Sequence, residues 1–297
     1  MCKLFSALIF TILLAICRFF VKLSFYPSVH SLYSTYQYHV EHKSFDQQRY
    51  ESLQKQEFYF NSRFKYKLNC VWVPNQNSTK TIILVHGYTA NHNSSLKYFD
   101  MFYDKGYNIL MYDHRYHGKS EGENCTLGYY EKYDLKDLVT WVLKKVGKNS
   151  TVGIHGESMG ASTAIMHSAI DNRTKFTIAD CPFQDVMFQF KYRLKVEYNA
   201  PSFPILNLIG IFNKIVTGVS YKKIVPIKML RSVTTPILYI HGNMDDFTLP
   251  INSINLYQAT KCKKKLYLAK NAKHAKSITV NPDLYSKIVF NFIDSIS

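Results

Sequence analysis

From Phe58 onward the chain alternates between short apolar runs and longer stretches in which apolar residues recur every three or four positions. Thr81 to Val85, Tyr107 to Tyr112, Thr151 to Ile154, Phe176 to Ala179, Ile237 to Ile240 and Lys265 to Leu268 are too short for stable helices. Each ends in turn residues, so they are expected to be strands. Leu96 to Tyr103, Tyr133 to Lys145, Ala161 to Ile170 and Ile251 to Gln258 carry helical spacing between them. Two earlier strand patterns, Phe58 to Phe60 and Lys65 to Val73, are followed by a turn at Pro74 to Ser78. Near-continuous apolar strands separated by helices predict an α/β fold, a mostly parallel sheet with helices on both faces. In such folds ligands bind at the carboxyl ends of the strands.

One connection breaks the rhythm. Between Asp180 and Ile237 the chain is too long for a simple crossover, and its apolar stretch from Phe203 to Phe212 is interrupted by Pro204, Asn207 and Gly210. That stretch is too short and too polar to span a bilayer, so a small helical cap is expected at about 182–232. At the N-terminus Lys3 precedes an apolar run from Leu4 to Cys17, then Arg18 and Phe19-Phe20-Val21. The pattern predicts a signal anchor over residues 1–24 with no cleavage site. The uncharged part falls short of the ~20 residues of a comfortable span, unless Arg18 snorkels. Leu14 to Cys17 resembles a lipoprotein box, but Ile16 stands where a small residue is expected. A buried helix is the competing reading, and the run has only Ser6 and Thr11 to give it a polar face. Residues 25–56 form a polar, Tyr-rich connector, with a helix capped at Ser44 that contains Phe45, Arg49 and Leu53. The remainder, 57–297, is the main domain, expected outside the cytoplasm, although Arg18 and Lys22 oppose Lys3 under the positive-inside rule.

The 297 residues carry 37 Lys and Arg against 21 Asp and Glu, a net charge of +16. Such a surface attracts anionic membranes, polymers or acidic ligands. Nucleic acid is not the expected partner. Apart from Lys261, Lys263, Lys264 and Lys265 the basic residues are scattered, with no zinc-finger spacing, RNA-binding aromatic motif or helix-turn-helix. The six cysteines include no C-x-x-C pair and no metal-ligand spacing, so neither a disulfide framework nor a metal or other cofactor is expected.

The chemistry lies at Gly156-Glu157-Ser158-Met159-Gly160, which follows an apolar strand and precedes the small-residue helix start Ala161 to Ala164. This is the strand-turn-helix setting of a G-x-S-x-G nucleophile elbow. A serine hydroxyl needs a base to take its proton, and histidine titrates in the right range. After the elbow's own helix only His241 and His274 follow. His241 lies inside a strand end, whereas His274 lies in the loop Asn271 to Ala275 after the last strand and is the better base by position. The carboxylate that orients it is open between Asp245, Asp246 and Asp180, all at strand ends. An oxyanion hole needs two backbone N–H groups, expected at Met159 and at Tyr88 in the turn His86-Gly87-Tyr88.

Together these segments resemble the α/β-hydrolases, in particular the bacterial, often N-terminally anchored branch similar to prolyl-oligopeptidase-like and monoacylglycerol-lipase-like esterases. The matching pieces are Val85 to Tyr88, Tyr112 to Ser120, Gly156 to Gly160, Ile240 to Asp245 and the loop around His274, in the family's order. The resemblance implies that the acid is Asp245, three residues after His241-Gly242, and that Asp113 to Ser120 is a structural turn. Tyr116 and Lys273 stand where that family often has glycine. The expected activity is cleavage of small or lipid-like carboxylic esters of short to medium acyl length through an acyl-enzyme. Peptidase or amidase activity is the alternative, and a catalytically inactive, membrane-tethered binding module is a third reading.

Overall fold

The structure, a computed structural model, describes residues 2–296, and the side chains of Phe5, Ala7, Leu8 and from Thr11 onward. Met1, where the expected anchor begins, and the side chains of Lys3, Leu4 and Ser6 lie outside this description. Three helices come first: α1 (Cys2–Phe25), α2 (Leu32–Glu41) and α3 (Gln47–Ser52). The sheet strands are β1 (Gln56–Asn61), β2 (Lys67–Val73), β3 (Lys80–Val85), β4 (Asn108–Tyr112), β5 (Thr151–Glu157), β6 (Phe176–Asp180), β7 (Ile237–Gly242) and β8 (Lys264–Ala269). Between them run α4 (Phe99–Tyr103), α5 (Glu131–Val146), α6 (Met159–Ser168), α7 (Val186–Tyr198), α8 (Ile205–Thr217), α9 (Pro226–Met229) and α10 (Ile251–Ala259). The short α11 (Ser277–Val280) and α12 (Pro282–Asp294) close the chain.

The strands form one sheet in the order β1-β2-β4-β3-β5-β6-β7-β8. Only the pairs β1·β2 and β2·β4 are antiparallel. Both faces are covered because successive strand residues point to opposite sides. In β3, Ile82 and Leu84 pack with Phe99, Phe102 and Val289, whereas Ile83 and Val85 pack with Leu135, Leu138 and Val142 of α5. The parallel register, with Val85 beside Gly156 and Glu157 beside Asp180, brings the strand ends of β3, β5 and β6 to one edge.

Local differences from expectation have identifiable causes. The helix expected from Ser44 begins two residues later, because Asp46 rather than Ser44 caps it, accepting from Arg49 N at 3.0 Å. Ser44 N instead bonds His39 O at the end of α2. Leu96 to Tyr103 is not one helix: His92–Tyr98 is a more tightly wound 3₁₀ segment that runs into α4. The connector is also less detached than expected, since Phe45 and Tyr50 are buried in the core against β2 and β3.

The N-terminal segment departs furthest. Among the described residues no helix is long and apolar enough to cross a membrane, so the expected transmembrane signal anchor is not found there. The second half of α1 is committed elsewhere. Cys17, Val21 and Phe25, spaced four apart on one face, are buried with Leu194, Leu206, Ile209 and Tyr221 of the cap. Burial of Val21 and Phe25 is worth about 1.5–3 kcal/mol each, enough to hold α1 against α8. Cys125 N also bonds Phe25 O at 2.9 Å.

Candidate active site

Ser158 sits between β5 and α6 at φ 54 and ψ −115, a region that side-chain-bearing residues enter only when their surroundings force it. The forcing comes from tight packing. A Cβ on Gly156 would lie 2.4 Å from Gly160 O, and one on Gly160 would lie 2.2 Å from Val85 O. Only glycine fits at both positions, and the turn projects the Ser158 hydroxyl from the sheet edge.

His274 comes from the loop after β8, which is seated on the end of β7. Met244 N bonds Ala272 O at 3.0 Å, and a Cβ on Gly242 would stand 2.2 Å from that same oxygen. The loop thereby places His274 Nε2 3.0 Å from Ser158 Oγ and its Nδ1 2.7 Å from Asp245 Oδ2. With the proton on Nδ1 donated to Asp245, Nε2 is free to accept from the serine. Asp245 is fully furnished with donors: its Oδ1 takes Phe247 N at 2.9 Å and Thr248 N at 2.8 Å. Burial opposes its charge, but the hydrogen bonds from His241 and His274, the His274 charge and the backbone N–H of Thr248 hold its carboxyl well below the usual range. It stays ionised and can stabilise an imidazolium.

The other two acids weighed from sequence lie elsewhere. Asp180 accepts from Ser277 Oγ and Tyr285 OH, each at 3.0 Å, and makes no bond to His274. Asp246 is exposed, and its backbone carbonyl accepts from Tyr192 OH at 2.9 Å and from Arg193 Nη1 at 3.3 Å. His241, set aside as a base, is buried and acts as a second partner of Asp245 at 3.2 Å, while bonding Ser253 Oγ and Thr248 O.

For the oxyanion donors, Met159 begins α6, so its N–H has no intrahelical acceptor. The Gly87-Tyr88 backbone runs alongside, since a Cβ on Gly87 would lie 3.3 Å from Ser158 Cβ. The Tyr88 hydroxyl donates to Leu23 O of α1 at 2.5 Å. Asp113, in the turn that resembles a structural motif, spends its carboxylate on His92 N, Lys119 N and Asn69 Nδ2. Tyr116 holds φ 68, the left-handed conformation that favours the glycine it replaces.

Ser158 opens into a cavity of about 420 Å³ walled by Phe183, Val186, Phe190, Leu206 and Ile209 of the cap, and by Phe20 and Leu23 of α1. Cys181 Sγ lies with Asp245 and His274 within 4.8 Å, the one such grouping among the described residues that could hold a metal. Burial, then the charges of Asp180, Glu157 and Asp245, push the Cys181 thiol well up, which disfavours the thiolate a metal would need.

Residues 80–173 match the family model of the α/β hydrolase fold. An uncharacterized protein, YqkD of Bacillus subtilis, is 38% identical over 251 residues, spanning 84% of this chain and 82% of its own. The chain belongs to the α/β-hydrolase superfamily. The hydrolase is also similar in structure to the Pyrococcus furiosus esterase Pf2001, with a TM-score of 0.69 and 25% identity over 84% of this chain and 95% of that one. An acylaminoacyl peptidase of Pyrococcus horikoshii shares the fold, at TM-score 0.63 and 17% identity, over 84% of this chain and 43% of its own.

The sequence reading of this hydrolase missed a buried ion pair behind the site. Lys97 Nζ lies 2.5 Å from Glu157 Oε2 and donates to Ala275 O at 2.9 Å. One ammonium thus ties the residue before Ser158 to the residue after His274. Burial opposes the Glu157 charge, but Lys97 and the Tyr98 hydroxyl hold its carboxyl below the usual value. Burial and the nearby Glu157 charge instead push Asp180 up to about 6. The signal available in the sequence was a glutamate inside the elbow, a position that folding buries.

Proposed function

We propose that this protein is a serine hydrolase that cleaves carboxylic esters through an acyl-enzyme. The observation that carries the reading is the hydrogen-bonded chain Ser158, His274, Asp245 opening into an apolar cavity. Ser158 Oγ attacks the ester carbonyl carbon while His274 Nε2 takes its proton. The negative oxygen that develops is received by the N–H groups of Met159 and Tyr88, a donor of this kind being worth roughly 10²–10³ in turnover. Collapse breaks the bond to the alcohol, which leaves with the proton from His274. Water then repeats the sequence on the acyl-enzyme and frees the acid and Ser158.

The apolar walls favour uncharged acyl groups, and a cavity enclosed by a short cap favours short to medium chains. Each buried methylene adds about 0.8 kcal/mol until the cavity is full. Likeness to the P. furiosus esterase across nearly all of its length supports ester over amide chemistry. The test is kcat/KM on p-nitrophenyl esters from acetate to palmitate beside the matching p-nitroanilides. Esters should be preferred, with a maximum at intermediate length; faster anilide cleavage would reassign the protein as an amidase.

We place the protein at a membrane, with the catalytic domain outside the cytoplasm. The support is the N-terminal half of α1, where Leu8, Ile12, Leu13 and Leu14 are exposed. Protease added to intact cells should degrade the domain; complete protection would put it on the other side.

A further inference from the structure

Among the described residues, two segments each carry several large exposed apolar side chains. One is the first half of α1, where Phe5, Leu8 and Ile12 share one exposed face and Leu14 is exposed on another. The other is α8. Its inner face buries Leu206, Ile209 and Asn213, yet its outer face presents Ile211 at 61% and Ile215 at 75% exposure, four residues apart, with Phe203 at 75% just before it. A cap helix that merely shielded the pocket would turn polar residues outward. The two helices pack on one another through the cluster that contains Val21, Phe25, Leu206 and Ile209.

The charge around this surface is predominantly positive. Residues 182–232 hold eight Lys and Arg against two acids, Asp185 and Glu197. Lys214 is the one ionisable residue of α8, Lys191 lines the hollow beside Phe203, and Arg18 and Lys22 are exposed on α1. Exposed apolar residues ringed by basic ones match an anionic leaflet, where apolar insertion and attraction to headgroups act together. The same two helices are walls of the cavity that holds Ser158.

We propose that α8 and the first half of α1 form one docking surface for an anionic phospholipid leaflet, and that substrate enters the Ser158 cavity from that leaflet between the two helices. The second part rests on the ester-hydrolase reading; the first does not. Docking by α1 alone would leave α8 in water, so the decisive observation is the environment of α8 itself.

The experiment uses the full chain with Ile215→Cys carrying an NBD fluorophore, and Lys148→Cys at the opposite edge of the sheet as control. The equally treated unaltered protein corrects for its own thiols. Vesicles of phosphatidylcholine are compared with vesicles that also contain phosphatidylglycerol. The Ile215 label should brighten and shift to the blue on the anionic vesicles, the effect should weaken with salt, and the Lys148 label should not respond. An unchanged Ile215 label on protein that pellets with the vesicles would overturn the α8 contact, and failure to pellet would overturn docking altogether.

Delivery is read separately with Ile211→Glu/Ile215→Glu, neither residue being in the cavity wall. This variant should keep its turnover of soluble p-nitrophenyl butyrate and lose on the order of tenfold against the same ester class embedded in anionic vesicles. Equal rates on embedded ester would refute delivery through this surface. Absence of ester turnover in the unaltered protein would refute delivery and the ester reading together, while the fluorophore still decides docking.

Discussion

Replacing Lys97 with Met removes the ammonium that joins Glu157 to the His274 loop and leaves the Glu157 carboxylate buried beside Asp180. Both partners of the pair are nearly enclosed, with side chains 11% and 9% exposed. Breaking such a pair from one side costs about 3–5 kcal/mol. At roughly 2–4 °C per kcal/mol for a chain of this order of size, Tm should fall by about 10 °C at pH 8. The pH dependence follows from the sign of the shift. In the unaltered protein the Glu157 pKa is depressed, so its contribution is present above the unfolded value, near 4.5, and is lost as pH falls through the lower folded value. Without Lys97 that pKa rises, so the variant loses stability as pH climbs through the new value, and the gap between the two proteins is wider at pH 8 than at pH 5.

Adding Glu157→Gln should recover much of the lost Tm by removing the stranded charge. It cannot restore the bond to Ala275 O, so kcat should stay roughly tenfold or more below normal, with KM little changed, as expected of a misplaced base. Thermal melts at the two pH values, with steady-state kinetics on both variants, test the argument. A Tm loss under ~3 °C at pH 8 for Lys97→Met would refute the energetic reasoning. Recovery of kcat along with Tm would refute the positioning role.

Three further outcomes follow from named contacts. Asp245→Asn should lower kcat by roughly 10⁴, as loss of the correct imidazole tautomer does elsewhere, while Asp180→Asn and Asp246→Asn should cost far less; parallel kinetics of the three decide it. Asp134, pushed up to about 7 mainly by burial, is held neutral at low pH, so stability should decline as pH rises from about 4 toward 7, by no more than about 4 kcal/mol. Asp134→Asn should flatten that decline in denaturant titrations, and an unchanged slope would contradict it. Deleting residues 1–15 should spare turnover of soluble esters, whereas deleting 1–24 removes Phe20 and Leu23 from the cavity wall and should raise KM, most for the longer acyl chains.

The six central strands were legible because strands buried on both faces are written as unbroken apolar runs, and the two half-exposed edge strands also overlap runs read from sequence. The elbow was legible because its glycines are demanded by backbone contacts under 3 Å, a constraint local enough to leave a motif. Position along the chain was enough to prefer His274 to His241. It was not enough to choose among three aspartates, since what distinguishes Asp245 is a turn whose Phe247 and Thr248 N–H groups aim the carboxylate. Lys97 left no mark at all, because a lysine in a helical stretch reads as solvated until the fold encloses it. At the N-terminus the stripe Cys17, Val21, Phe25 was present in the sequence but lay under a stronger apolar signal, so its packing against the cap went unread.

The central claim is that Ser158 forms the covalent intermediate, and a fluorophosphonate probe followed by peptide mass analysis tests it most directly. The unaltered protein should gain one phosphonyl group on the peptide that contains Gly156 to Gly160, and Ser158→Ala, still folded by its melting curve, should gain none. Labelling of that variant to the same extent, or an adduct on any other residue, would contradict the account.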